Sequence, residues 1–349
     1  MRLRGKLILP TRIINGEVQL HHGRIIAVHR RRTGGRYYIA PGFIDLHLWG
    51  EPERLTRREP RGGTTAFVAT IGPLAPQRLQ QRLAGWSALT RLRGAQLLGF
   101  HLEGQWVNPR QAGALSLAGI RWPTIRECTR LWDVSQRRIR LVTLAPEMPG
   151  ATAAIRFWSR RGVAVSYGHT AASYDAAKRG IAAGVHCATH LWNKMGSPHQ
   201  RRPGTIGACL EDPRVMVMLL VDGKHLHPTT VKLLYRLLGP ERLVLVTDST
   251  RALAVSDDPS FGLRRGQFRG KLAGTRLTMI AAVKHLRQFT DATLPAAVRT
   301  ASLNPARVLG LAQRKGSLTV GKDADLVVFD RRLRVQQTIV GGRIIYRRR

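Results

Sequence analysis

Eight short apolar runs recur along the chain, each rich in β-formers and most ending on a residue able to do chemistry: Ile39–His47, Thr64–Thr70, Leu97–Glu103, Ile139–Ala145, Ala164–His169, Cys187–His190, Val215–Asp222 and Leu243–Asp248. Near-continuous apolar character marks strands buried on both faces, which is what a parallel sheet demands. The segments between them are long enough for crossover helices. Pro76–Arg91, Thr152–Arg161 and Ser173–Gly184 read that way, the last with Ala and Lys/Arg at helical spacing. Eight strands alternating with helices predict an α/β fold, a (β/α)8 TIM barrel over residues 39–316, with its chemistry at the C-terminal strand ends.

The two ends do not fit that pattern. Residues 1–38 hold short alternating strands (Lys6–Leu9, Arg12–Ile14, Glu17–Leu20, Arg24–His29) with turn signals at Asn15-Gly16 and His22-Gly23. Residues 317–349 look the same: Ala324–Asp330, Val335–Val340, a Gly341-Gly342 turn and Arg343–Tyr346. They predict one small β-sandwich-like domain assembled from both termini, which keeps barrel and appendage together.

Composition removes several classes. At 349 residues with 43% hydrophobic content, 35 Gly and 18 Pro, the chain is globular and rich in loops. Its longest apolar run, Val215–Val221, is too short for a bilayer. Cys128, Cys187 and Cys209 are odd in number and lack metal-ligand spacing, so no disulfide framework is expected. The start, Met1-Arg2-Leu3-Arg4-Gly5, carries no signal-type apolar region, and the expected location is the cytoplasm. The net charge of +36 invites a polyanion partner. Yet the runs are short, as in Arg30-Arg31-Arg32 and Arg347-Arg348-Arg349. Most of the charge (Arg78, Arg82, Arg91, Arg93, Arg156, Arg160, Arg161) falls where outward helix faces should lie. The expectation is non-specific electrostatics, with no dedicated nucleic-acid or membrane partner.

Glu103, His169 and His190 end three separate runs. One carboxylate and two imidazoles suit a hydrolytic divalent-metal site with a position left for water. A lone strand-end His is more often structural, but three converging donors are harder to assign that way. Asp248, ending the eighth run, faces the same mouth as a candidate general base and acid. The alternative of a helix N-cap is served equally by Ser249 and Thr250.

With these residues in place the chain resembles a known family. Pro41-Gly42-Phe43-Ile44-Asp45-Leu46-His47 is similar to the first-strand signature of the amidohydrolase superfamily. More narrowly, several segments resemble N-acetylglucosamine-6-phosphate deacetylases. They are Gly99–Gly104, Leu144–Glu147, Gly168-His169-Thr170, Ala188–Met195, Arg201–Gly204, Asp222–His225, Thr247-Asp248, Leu303–Ala306 and Gly321–Val327, in order over nearly the whole chain. The resemblance implies hydrolysis of the N-acetyl group of an amino-sugar 6-phosphate in a homodimer. It implies one divalent ion per subunit on Glu103, His169 and His190, with zinc first and Fe2+, Co2+ or Mn2+ as alternatives. Asp248 becomes the acid/base. Asn193, with its neighbour Lys194, Arg201 and His225 become sugar-phosphate binders, the Arg reaching across a dimer interface.

Two departures stand out. The superfamily's His-x-His pair is here His47-Leu48-Trp49, and an indole cannot ligate a metal. His47 is left as a remnant, a hydrogen-bonding group or a weak ligand. At Leu115 the family usually has a His that contacts substrate near the acetamido group, so Leu115 offers shape without a hydrogen bond. Competing readings are a deacetylase for a related acetylated amino sugar, and a ring-opening or peptide-cleaving amidohydrolase. The latter generally needs an intact His-x-His and a bridging Lys, where this chain has Glu147. A non-catalytic barrel binding sugar phosphate or polyanions is the third, and the convergence of four costly polar groups weighs against it.

Overall fold

The computed structural model describes residues 1–90, 92–252, 258–261 and 272–348; Arg91 and Arg349, named above, lie outside the described residues. Among the described residues fifteen strands form two sheets. The first is built from both ends of the chain. It comprises β1 (Arg2–Ile8), β2 (Ile13–His21), β3 (Arg24–Arg30), β4 (Tyr38–Pro41), β13 (Leu326–Phe329), β14 (Val335–Val340) and β15 (Arg343–Arg347). Its order is β15-β14-β13-β4-β1-β2-β3, and β4 joins the halves, antiparallel to β13 and parallel to β1. Leu7, Val18, Leu20 and Ile25 from one half share a core with Leu326, Val328 and Ile339 from the other, so both termini contribute to one sheet with its own core.

Two local expectations need correction. Asn15-Gly16 is no turn, because β2 runs straight through it, pairing Asn15 with Lys6 and Gly16 with Gly5. Gly16 is there for contact: a Cβ would lie 2.6 Å from the His29 carbonyl and 2.7 Å from Leu7 Cδ1. The hairpin signal at His22-Gly23 is the real turn, both residues having positive φ (43° and 74°). The run Ile39–His47 is also two strands. It breaks at Gly42, whose N–H donates to the Asp325 carbonyl at 2.8 Å and whose missing side chain leaves room for Thr65. Residues 38–41 belong to the terminal sheet, and the barrel starts at Phe43.

The barrel strands are β5 (Phe43–Trp49), β6 (Thr64–Ile71), β7 (Gln96–Trp106), β8 (Ile139–Leu144), β9 (Ala164–Tyr167), β10 (Cys187–Ala188), β11 (Met216–Leu219) and β12 (Leu243–Leu245). Each pairs in parallel with its sequence neighbour. Helices Pro76–Ser87, Ala151–Ser159 and Tyr174–Ala183 occupy the predicted crossovers. Inside the barrel, Ile44, Leu46, Val68, Leu141, Met218 and Val244 pack together, and Ala306 and Val308 of helix Leu303–Val308 join the same cluster.

β5 and β12 meet at a seam held largely by side chains. The buried Asp45 carboxylate accepts from Thr247 Oγ1 (2.6 Å) and from the Thr247 and His47 backbone N–H groups (3.3 and 3.1 Å). Beyond it, the Trp49 N–H donates to the Ser249 carbonyl at 3.0 Å. Thr247→Val keeps the shape and removes the hydroxyl donor to a buried carboxylate. It is expected to cost about 1.5–3 kcal/mol, read as a lower urea midpoint at unchanged m-value. An unchanged midpoint would show that the seam does not depend on this bond.

Glu59 is buried, and its Oε1 has no hydrogen-bond partner among the described residues. Burial, with Asp45 nearby, lifts its carboxyl to about 7 from an ordinary 4.5. The fold therefore favours the protonated form, and the associated stability is full below 4.5 and lost as pH rises through 7. Glu59→Gln is expected to stabilise the protein by about 1–3 kcal/mol at pH 8 and to change little near pH 4. Denaturant titrations at the two pH values measure this, and equal effects at both would contradict it.

Candidate active site

The C-terminal strand ends open into a cavity of about 460 Å3. Its lining includes Glu103, His169, His190, Asn193, Lys194, His225, Asp248 and Leu115. His47 lies directly beneath, fully buried at the end of β5. Arg201 is not on this surface. It sits on an exposed loop, its backbone N–H donating to His199 Nδ1.

Backbone geometry turns the donors inward. His169, His190 and Asp248 follow β9, β10 and β12 directly, and all have positive φ (50°, 31° and 49°). Such conformations are costly for residues with a Cβ and persist where the surroundings hold them. Part of that hold is Glu147, which accepts from Thr170 Oγ1 (2.6 Å), the Ala171 N–H (2.7 Å) and Asn108 Nδ2 (2.9 Å), bracing the loop after His169. Below the site, a buried chain of hydrogen bonds runs from Thr70 through His101 to Thr143, Thr189 and Ser166. Burial keeps the His101 imidazole neutral, well below its usual range.

Glu103 is the hub. Its Oε1 lies 3.0 Å from His190 Nε2 and 3.5 Å from His169 Nε2, while Oε2 lies 2.7 Å from His47 Nε2. His169 Nδ1 is 2.8 Å from the Gln111 carbonyl, which can only accept, so Nδ1 carries the proton. The His169 Nε2 lone pair then points toward a carboxylate oxygen, two acceptors that a cation between them would reconcile. His47 Nδ1 and Nε2 and His190 Nδ1 are buried without a properly aligned hydrogen bond, and donor atoms of His47, Glu103 and His190 lie within 4.8 Å of one another. Electrostatics agree. Burial works against charge on His47, yet Glu103 and Asp248 outweigh it and hold its imidazole up at about 9. Burial likewise opposes the Glu103 charge, and the surrounding imidazoles keep it well below the usual carboxylate range. The arrangement accommodates a positive charge, and its carboxylate and imidazole donors suit a divalent ion.

His47 is thus closer to this centre than its broken motif implied. Trp49, set aside as a non-ligand, donates its indole N–H to Asp248 Oδ1 at 2.6 Å. Glu147 and His101 also went unassigned in the sequence, where each is just one polar residue in a strand-end motif. On the far side, Asp222 accepts from His225 Nδ1 (2.8 Å) and from the Lys224 and His225 N–H groups (2.9 Å each). Burial raises its carboxyl, but these bonds prevail and hold it down at about 2.

Barrel, carboxylate–imidazole centre and neighbouring acid together define a metal-assisted hydrolase. The amidohydrolase family model matches residues 38–345. The N-acetylglucosamine-6-phosphate deacetylase of Bacillus subtilis is 34% identical over 96% of this chain and 93% of its own length. The chain belongs to the amidohydrolase family, in the branch that contains the N-acetylglucosamine-6-phosphate deacetylases. The Thermotoga maritima enzyme of that name superposes with a TM-score of 0.89 at 28% identity, covering all of both chains. A Mycobacterium smegmatis deacetylase variant, solved with N-acetyl-D-glucosamine 6-phosphate, gives 0.87 at 30% identity over 99% of each chain.

Asp222→Asn removes the charge that anchors His225 while leaving the Glu103 cluster untouched. It is expected to raise KM about tenfold with kcat within about twofold, the pattern of lost uniform binding. A fall in kcat at unchanged KM would place His225 in the chemistry instead.

Proposed function

We propose that this chain hydrolyses the N-acetyl group of N-acetylglucosamine 6-phosphate, giving glucosamine 6-phosphate and acetate. The observation that carries the reading is the Glu103–His169–His190 cradle beside Asp248 in a cavity also lined by Asn193, Lys194 and His225. Glu103, His169 and His190 would hold one divalent ion, zinc before Fe2+, Co2+ or Mn2+, with His47 close enough to contribute. Such an ion supplies Lewis acidity and brings the pKa of water to about 7. Asp248 takes a proton from the attacking water as the C–O bond forms. It returns that proton to nitrogen as the C–N bond breaks, so the amine leaves neutral. Lys194 and His225 can offer donors to the phosphate, and Asn193 is placed by its Nδ2, which donates to the His190 carbonyl at 3.1 Å. The exposed Arg201 fits a role at the site of a second copy, in a homodimer. Three buried cysteines without disulfides, and no described helix long and apolar enough to cross a membrane, suit work in the cytoplasm.

Leu115 favours one variation on this reading. With Trp49, Ala112 and Phe261 it forms an apolar cluster, and Leu115, Trp49 and Phe261 line the cavity without a hydrogen bond for the acetamido oxygen. A related acetylated amino sugar is therefore the alternative substrate. Acetate release across acetylated amino sugars, with and without the 6-phosphate, decides between them. Phosphorylated substrates should be strongly preferred, elemental analysis should find one ion per chain, and chelation should abolish turnover. Asp248→Asn is expected to cut kcat about 10²–10⁴-fold with metal content unchanged. Near-native activity in that variant, or equal rates on unphosphorylated sugar, would refute the assignment.

A further inference from the structure

The two departures from the family pattern, Trp49 and Leu115, lie in a single apolar cluster against the cavity, together with Phe261. The Trp49 and Phe261 rings lie 4.8 Å apart, and Leu115 forms an isolated bridge with Phe261. The indole is only 4% exposed, and its N–H points out of this cluster onto Asp248 Oδ1. We propose that Trp49 is a positioning residue for Asp248: it fixes one carboxylate oxygen and leaves the other to face the reacting groups. The inference rests on Asp248 being the acid/base proposed above.

Three features carry it. First, Asp248 needs an external restraint, since it has left-handed φ and follows the end of its strand. Second, the restraint is available on one oxygen alone. Oδ1 receives the indole N–H at 2.6 Å and lies 3.3 Å from His47 Nε2, and among the described residues no hydrogen bond reaches Oδ2. Third, the donor cannot interfere with proton transfer. An indole N–H donates and neither accepts nor titrates, so it orients the carboxylate without competing for its proton. An imidazole at this position could do both and could also bind metal. The apolar cluster follows from the same requirement, because Leu115 and Phe261 grip the ring that aims the N–H. Leu115 then serves the acid/base through Trp49.

The test is a double-mutant cycle on N-acetylglucosamine 6-phosphate, with metal content measured in every variant. Trp49→Phe is expected to lower kcat about 10–100-fold, the effect of losing a hydrogen bond to a charged group. KM should stay within about twofold and one ion per chain should be retained. In the Asp248→Asn background the same change should cost less than about threefold, because no acid/base remains to be positioned. Native kcat in Trp49→Phe, or an equal cost in both backgrounds, would overturn the inference. Should Trp49→Phe fail to fold, Trp49→Gln keeps an N–H donor: kcat within about threefold of native supports the bond, and a larger loss overturns it. An Asp248→Asn variant of native activity would instead remove the reading on which the inference stands.

Discussion

A carboxylate with 1% exposure, surrounded by three imidazoles, governs this molecule's chemistry and much of its architecture. Glu103 could not stay ionised at that depth without compensation, since burying an unpaired carboxylate costs several kcal/mol. His47 supplies it as an imidazolium, and His169 and His190 bring their ring nitrogens to the same carboxylate, each from the end of a different strand. A barrel places strand ends around one axis, so residues 56 to 87 positions from Glu103 in sequence converge on it. The His169 tautomer set by Gln111 adds a lone pair on the same spot. What the protein holds there is a demand for positive charge, met by a proton on His47 or by a metal ion. The same demand explains the tolerance of positive φ at His169 and His190, which a relaxed loop would avoid.

The arginine excess has a structural counterpart. With 57 basic and 21 acidic residues, most guanidinium groups cannot find a carboxylate. Several bind backbone carbonyls instead. Arg242 donates to those of Cys209 (2.7 Å), Leu210 (2.9 Å), Asp212 (2.7 Å) and Val215 (3.2 Å), satisfying carbonyls at the end of helix Gly204–Glu211. Arg138 does the same for Ser87 at 2.8 Å, and Arg161 lies 3.6 Å above the Phe157 ring. Part of the charge is thus built into the helix and loop ends of the barrel, without any partner molecule.

The barrel was legible in the sequence because strands buried on both faces must be apolar throughout, and that leaves runs bounded by helical segments. The polar ends of those runs also pointed to Glu103, His169, His190 and Asp248. Legibility failed where one residue serves two neighbours. Gly16 and Gly42 read as a turn and as part of a strand, because a sequence does not show which backbone will pass close by. Trp49 read as a lost ligand, since its partner Asp248 lies 199 positions away. Arg201 could be singled out only through resemblance, being one exposed arginine among many. The bracing role of Glu147, noted in the sequence only as standing where a bridging Lys would be, was hidden for a related reason: its three donors come from Asn108 and the loop after His169, assembled only by the fold.

The seam between β5 and β12 brings these threads together. Elsewhere in the barrel, neighbouring strands are aligned by backbone ladders, which fix position but have no chemical function of their own. Here three side-chain contacts take over: Thr247 on Asp45, the Trp49 indole on Asp248, and His47 beside Asp248. Closing the barrel and placing Asp248 are therefore one event. Asp45, pushed up to about 6 by burial, is kept at the junction by the Thr247 and His47 donors, so it acts as the bracket from which both strand ends depart. A ladder would have set Asp248 to the accuracy of the main chain alone. Side chains from β5 set its carboxylate directly, one from His47 beside Glu103 and one from the apolar cluster around Trp49. The carboxylate–imidazole cluster and the apolar wall of the cavity thereby share control of the same oxygen.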